Sequence, residues 1–256
     1  MPKIICIANQ KGGVGKTTTA INLSASLAVA ERKTILIDCD PQGNAGSGLG
    51  IDKVQIQKRN LYYALIGEIP LSEVIFGTPL PKLDVVPSNQ DLIGVELEFV
   101  SLQNREKKLK TLLTDIDPSY EYVIIDCPPS LGLLTINSLV AADGIIVPLQ
   151  CEYFAMEGLG YLLNTVRMVK AKLNPNLSLS GILLTMFDSR NRLSHMVAED
   201  VKNHFGDKVF KTIIQRNVRL SESPSHGLPI ILYDVKSRGA MGYLELAKEI
   251  LSNGRS

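Results

Sequence analysis

No apolar run in this sequence is long enough to cross a bilayer. Runs such as 123–125 and 144–147 cover only a few residues, where a spanning helix needs about 20. The N-terminus enters a strand-like run at once, so no signal peptide is expected. Cysteine is scarce: there are 4, at positions 6, 39, 127 and 151, three of them in or beside apolar runs. Their scatter fits reduced thiols in a cytoplasmic protein better than a disulfide framework or a metal cluster. Charge of one sign is missing as well, with 27 Lys+Arg against 26 Asp+Glu and a net charge of +1. Internal repeats, low-complexity tracts and linkers are absent. The chain therefore reads as one domain over 1–256, with no membrane segment.

The composition, 45% hydrophobic and 21% charged over 256 residues, supports a large buried core. Short β-branched runs alternate with helical periodicity. Strands are expected over 4–8, 34–38, 83–87, 122–126, 144–148, 179–186 and 208–213. Helices are expected from 16 to about 30, and over 132–142, 157–173, 193–205 and 240–251. Short helices and turns fill 52–82, including 61–66 and 71–76. Asp91 reads as an N-cap, 105–113 as a helix whose lysines are solvated, and 215–228 as a polar loop. Such alternation makes an α/β fold: a mostly parallel twisted sheet with helices on both faces. Ligands then bind beyond the carboxyl ends of the strands.

The most informative stretch is Asn9-Gln10-Lys11-Gly12-Gly13-Val14-Gly15-Lys16-Thr17-Thr18-Thr19. It lies between a strand and a helix. Its glycines let backbone N–H groups turn inward, and the helix start adds its positive dipole end. Lys16 can reach β- and γ-phosphates, and the Thr17 hydroxyl can bind Mg²⁺. A plain P-loop would place glycine at position 10; this chain has Gln10 followed by an additional Lys11. Two further strand ends carry acids: Asp38 and Asp40 after the second strand, and Asp126 closing the run 122–126. An acid closing a central strand is costly without a partner. All three strand ends converge on one place.

The run from Lys11 to Thr18, with Asp38-Cys-Asp-Pro-Gln-Gly-Asn and Ile125-Asp-Cys-Pro-Pro-Ser, resembles the ParA/MinD group of deviant Walker-type ATPases. The segment Arg216-Asn-Val-Arg-Leu-Ser-Glu-Ser-Pro-Ser-His-Gly, followed by Tyr233-Asp and Lys236-Ser-Arg-Gly-Ala, is similar to the chromosomal ParA (Soj) branch. The similarity covers about residues 3–250. It implies Mg²⁺-dependent ATP hydrolysis by a homodimer that sandwiches nucleotide, with Lys11 reaching the partner's phosphates. It also implies non-specific binding to double-stranded DNA, release by a ParB-type protein, and nucleoid association in the cytoplasm. Lys11, Lys16 and Asp40 are the implied catalytic groups. Gly12, Gly13, Val14, Gly15, Thr17 and Thr18 would hold phosphates. Thr17 would bind the metal directly, with Asp38 and Asp126 acting through water. The resemblance places adenine near Met186, Gln215 and Asn217. Gln215 departs from the family's common proline, which adds a donor and frees φ.

From Met186 onward there are 11 Lys and Arg against 8 Asp and Glu. Arg190, Arg219 and Lys236 best match DNA-binding positions in the resembled family. Aromatic residues fall only singly among the basic ones, without regular interleaving, which disfavours single-strand stacking and favours phosphate contacts to duplex. Three rivals remain open. A MinD-like membrane ATPase would carry a basic amphipathic C-terminal helix, which the end at 252–256 does not suggest. A nitrogenase iron-protein relative would need cluster cysteines. A DNA-binding regulator with little turnover is the third.

Overall fold

The computed structural model describes residues 1–252, so the expectation about the 253–256 tail falls outside the described residues. The strands are β1 (Lys3–Ile7), β2 (Thr34–Asp38), β3 (Phe76–Gly77), β4 (Leu83–Val86), β5 (Tyr122–Asp126), β6 (Gly144–Gln150), β7 (Ser178–Phe187) and β8 (Val209–Gln215). They form one sheet in the order β3-β4-β2-β5-β1-β6-β7-β8. Every neighbouring pair is parallel except the short β3–β4 pair. β1 sits between β5 and β6, where the direction of winding reverses. That reversal opens a crevice at the carboxyl ends of the strands.

Helices α1 (Lys16–Val29), α2 (Asn44–Gly48), α3 (Leu61–Leu65), α4 (Gly94–Glu98), α5 (Lys108–Leu112) and α6 (Leu133–Ala141) belong to the first part of the chain. α7 (Ala155–Lys172), α8 (Arg192–Phe205), α9 (Val218–Glu222), α10 (Ile230–Tyr233) and α11 (Arg238–Ser252) complete it. Period-two alternation splits the strand side chains between two apolar layers. Ile5, Ile7, Leu36, Ile124 and Ile146 face α1 and α11, while Cys6, Ile35, Ile37, Ile125 and Val147 face α3 to α8. Burial on both faces is why these strands read as continuous apolar runs. In α1, Leu23 and Leu27 are fully buried; truncating either to alanine should cost about 2–5 kcal/mol. The four cysteines are free and buried, in keeping with reduced thiols.

Several local expectations are corrected. Asn89, not Asp91, is the cap: its Oδ1 accepts from the Asp91 N–H at 3.0 Å. The stretch 71–76 is a 3₁₀ turn over Leu71–Val74 that gives way to β3, an antiparallel edge. The polar segment 215–228 is mostly helical. Asn217 caps α9 by accepting from the Arg219 N–H at 2.8 Å, and a 3₁₀ turn over Ser223–His226 follows. Short helices of this kind are set by capping and packing more than by periodicity.

Candidate active site

The glycine-rich loop follows β1 and ends in α1. Gly13 and Gly15 have φ of +74° and +87°, a left-handed conformation that costs most side chains energy and glycine none. Gly15 is also the N-cap of α1, with no side chain capping it. The first N–H groups of α1 therefore have no competing side-chain acceptor there, which suits an anion. Cβ atoms added at Gly12 and Gly13 would meet nothing within 4 Å, so the loop's outer rim is open. Val14 is buried and anchors its middle, while Thr17 and Thr18 are half-buried.

Lys16 is buried, and its Nζ donates to the Lys11 carbonyl at 3.1 Å. Burial lowers its pKa; the nearby charges of Asp126 and Asp40 oppose that and favour the ammonium. Lys11 is half-exposed, and its Nζ pairs with Glu152 of the same chain. Sequence reading missed Glu152 because it lies 141 residues away, just before α7.

Asp38 and Asp126 are register partners on β2 and β5, so their carboxyls stand side by side at the sheet's end. Both are fully buried, yet their surroundings differ. Asp38 Oδ1 accepts from the Asp40 N–H at 3.1 Å, and Oδ2 accepts from Ala45 and Gly46 at 2.9 and 3.3 Å. Those donors hold the Asp40 loop and the start of α2. Burial still pushes Asp38 up to about 7, against the pull of these N–H groups. Asp126 has no hydrogen-bond partner on either oxygen. Burial and then Asp38 push its carboxyl well above the usual range, with a smaller opposing pull from the Thr17 hydroxyl. Asp40 is nearly buried; its Oδ1 accepts from the Gln42 N–H at 3.0 Å.

A magnesium ion fits this donor set. Asp126 offers two orphaned oxygens in a buried place, beside the Asp38 carboxylate and near the Thr17 hydroxyl, all of them hard oxygen donors. No group of three His, Cys, Asp or Glu among the described residues could hold a metal by itself. The remaining ligands must come from phosphate and water, as is usual for Mg²⁺.

The base-binding expectations meet at the tips of β7 and β8. A cleft of about 470 Å³ is lined by Phe187, Gln215, Arg216, Asn217 and Arg238 among others. Met186 adjoins it with φ of 48°, rare for a non-glycine residue. Gln215 Oε1 accepts from Arg238 Nη1 at 3.3 Å. Arg190 and Arg219 are exposed but paired. Arg190 grips Asp188 with two 3.0 Å bonds, and the guanidinium holds that carboxyl down to about 2. Arg219 pairs with Glu222 at 2.9 Å and lies 3.6 Å from Asp234. Lys236 is exposed between α10 and α11.

A phosphate loop opening into a helix, acids at two adjacent strand ends and a parallel sheet define a P-loop nucleoside triphosphatase. A family model described as an AAA domain matches residues 2–179. The chain is 57% identical to the chromosome partitioning protein ParA of Myxococcus xanthus (strain DK1622), over 97% of this chain and 88% of that protein. It is 55% identical to the sporulation initiation inhibitor protein Soj of Bacillus subtilis (strain 168), over 99% of this chain and 100% of that one. Among solved structures, a cobyrinic acid a,c-diamide synthase from Mycobacterium smegmatis with bound ATP analogue and magnesium aligns with a TM-score of 0.88. It shares 37% identity and covers 100% of this chain and 97% of its own. The chain belongs to the ParA/MinD family of P-loop ATPases, and its relatives place it with the ParA/Soj members.

Proposed function

We propose that this protein is a Mg²⁺-dependent ATPase acting as a dimerising switch in chromosome or plasmid partitioning. The carrying observation is the orphaned Asp126 carboxyl beside Asp38, facing the loop that bears Lys16 and Thr17. Magnesium would be held by Thr17 directly and by Asp38 and Asp126 through water, and would supply positive charge to screen the phosphates. The protein's own groups do the rest. Loop N–H groups from Gly12 to Thr18 and the Lys16 ammonium receive the phosphates, with Lys16 exchanging the Lys11 carbonyl for a phosphate oxygen. Asp40 orients the attacking water. Met186, Gln215 and Asn217 bound the base.

Lys11 serves the partner's phosphates after leaving Glu152. Beside it lies a cavity of about 580 Å³ lined by Pro129, Leu131, Phe154 and Tyr161. Tyr153, Phe154 and Tyr161 are 78%, 65% and 58% exposed. Three exposed aromatics beside a charged loop suit a face that a second copy covers. Arg190, Arg219 and Lys236 are the DNA contacts in this reading. Two of them must first give up carboxylates, so each contact is weak and binding depends on many. A ParB-type protein stimulates turnover, and the switch resides on the nucleoid. The ATPase is one domain over 1–256. Among the described residues no helix is long and apolar enough to cross a membrane.

The test is ATP turnover by the full chain, with and without duplex DNA and the N-terminal peptide of a candidate ParB-type protein. Stimulation requiring both supports the switch, and Asp40→Ala should abolish turnover while ATP binding persists. Turnover by Asp40→Ala at the wild-type rate would remove Asp40 from the mechanism. Stimulation by anionic vesicles in place of DNA would overturn the partitioning reading.

A further inference from the structure

We infer that Thr185 is a positioning residue for the phosphate loop: its hydroxyl locks the Val14–Gly15 peptide in the orientation that binds phosphate. The inference rests on the ATP-site reading above and adds to it a residue outside the loop. Thr185 lies near the end of β7 and is 2% exposed. Its Oγ1 donates to the Val14 carbonyl at 2.8 Å, a buried contact across 171 residues of sequence.

The consequence follows from peptide geometry. In a trans peptide the carbonyl of one residue and the N–H of the next point in opposite directions. Pinning the Val14 oxygen toward β7 therefore turns the Gly15 N–H the other way. A loop that aims its N–H groups inward must send its carbonyls outward, and a buried carbonyl needs a donor. Thr185 is that donor. The lock matters here because the next residue is glycine at φ +87°. A peptide preceding glycine flips at low cost, since no Cβ opposes either orientation.

Packing supports the same contact. A Cβ placed on Gly15 would lie 3.7 Å from Met186 Cε and 3.9 Å from Thr185 Cβ, so the tip of β7 already touches the loop. The loop's beginning is held in a similar manner from β6. Asn9 Nδ2 donates to the Pro148 carbonyl at 2.8 Å, and its Oδ1 accepts from the Lys11 N–H at 3.0 Å. The two tips belong to neighbouring strands, with Pro148 opposite Leu183 and Gln150 opposite Thr185. The lock acts on the phosphate cradle, so it serves ATP and ADP alike and leaves the hydrolytic step at saturation untouched.

The experiment compares Thr185→Val, which keeps the shape and removes the hydroxyl, with Thr185→Ser, which keeps the hydroxyl. Dissociation constants for MgATP and MgADP are measured by calorimetry well below each variant's unfolding temperature, with kcat measured at saturating ATP. Thr185→Val should bind both nucleotides about tenfold more weakly, the usual scale for a buried hydrogen bond left unmade. KM should rise with kcat preserved, and Thr185→Ser should stay within about twofold of wild type. If Thr185→Val does not fold, Thr185→Ala takes its place with the same expectation. Wild-type affinity in the valine or alanine variant overturns the lock. So does a serine variant as weak as valine, because the hydroxyl alone then fails to hold the peptide. Failure of the wild-type chain to bind MgATP would instead overturn the ATP-site reading itself, and the lock with it.

Discussion

Replacing Asp126 by asparagine should make the metal-free protein more stable and the magnesium-loaded one less able to bind nucleotide. The carboxyl is fully buried, has no hydrogen-bond partner and stands in register with Asp38. Asp38 has three backbone N–H donors to favour its charge. Asp126 has no backbone donor, and burial and the neighbouring Asp38 both push its carboxyl toward the protonated form. Asparagine is nearly isosteric and uncharged, and leaving its amide partly unpaired costs about 1–3 kcal/mol, less than the several kcal/mol typical of an uncompensated buried charge. The variant should therefore melt higher, with each kcal/mol worth roughly 2–4 °C in Tm for a chain of this size.

The pH dependence has a definite sign. A carboxyl whose folded pKa is raised keeps its proton longer in the native state than in the unfolded chain. Its stabilising contribution is whole below about pH 4 and is lost as the pH rises through about 7. In chelator, wild-type stability should therefore fall across that window, with Asp38 and Asp126 both contributing. The fall should be shallower in Asp126→Asn. Adding Mg²⁺ with ADP should raise the wild-type Tm at pH 8 and do so far less for the variant. Thermal melts at pH 5 and pH 8, in chelator and in MgADP, read all of this. A variant less stable than wild type in chelator at pH 8 would refute the idea that Asp126 is held at a cost in the empty site.

The other predictions concern the rim of the site. Glu152→Gln should tighten ATP-dependent dimerisation, measured by sedimentation, by no more than about fivefold. The ion pair it releases is 40% and 46% exposed on its two side chains and is worth at most about 1 kcal/mol; looser dimerisation would contradict it. Arg219→Ala should weaken duplex binding and lower the slope of log affinity against log salt by about 1, while ATP-driven dimerisation is spared. An unchanged slope would exclude a phosphate contact at that side chain. Gly227→Ala should destabilise the chain by about 2 kcal/mol or more in urea titrations. Gly227 sits at φ +64°, and a Cβ there would lie 2.7 Å from the Gly50 backbone.

What could be read from the sequence was chemistry written locally. The loop from Gly12 to Thr18 declares itself because every residue it needs is within one turn of its neighbours. The strand ends at Asp38 and Asp126 declare themselves because a β-branched run closing in an acid is unusual. The contacts that hold these pieces in place have no such signal. Val14 and Thr185 are 171 residues apart, and Lys11 and Glu152 are 141 apart. Nothing near Thr185 marks it as different from other strand threonines. The helical turns within 215–228 were hidden for a related reason, since four- and five-residue helices bury too few side chains to show a period.

The approach of Gly50 to Gly227 depends on both chains of events at once. α2 begins on the Asp38 carboxylate through Ala45 and Gly46. A Cβ on Gly48, in the same helix, would lie 2.7 Å from Ile21 Cδ1 and 3.6 Å from Pro224 Cβ. Gly50 follows and meets the backbone of Gly227. The acid at the end of β2 is thus joined, through the stretch 45–50 that is small-residued apart from the buried Leu49, to the segment that carries Arg219. Local pattern identified both ends of that connection. Only the packed structure brings them into contact, because close approach of two backbones requires glycine at both positions and neither glycine alone predicts the other.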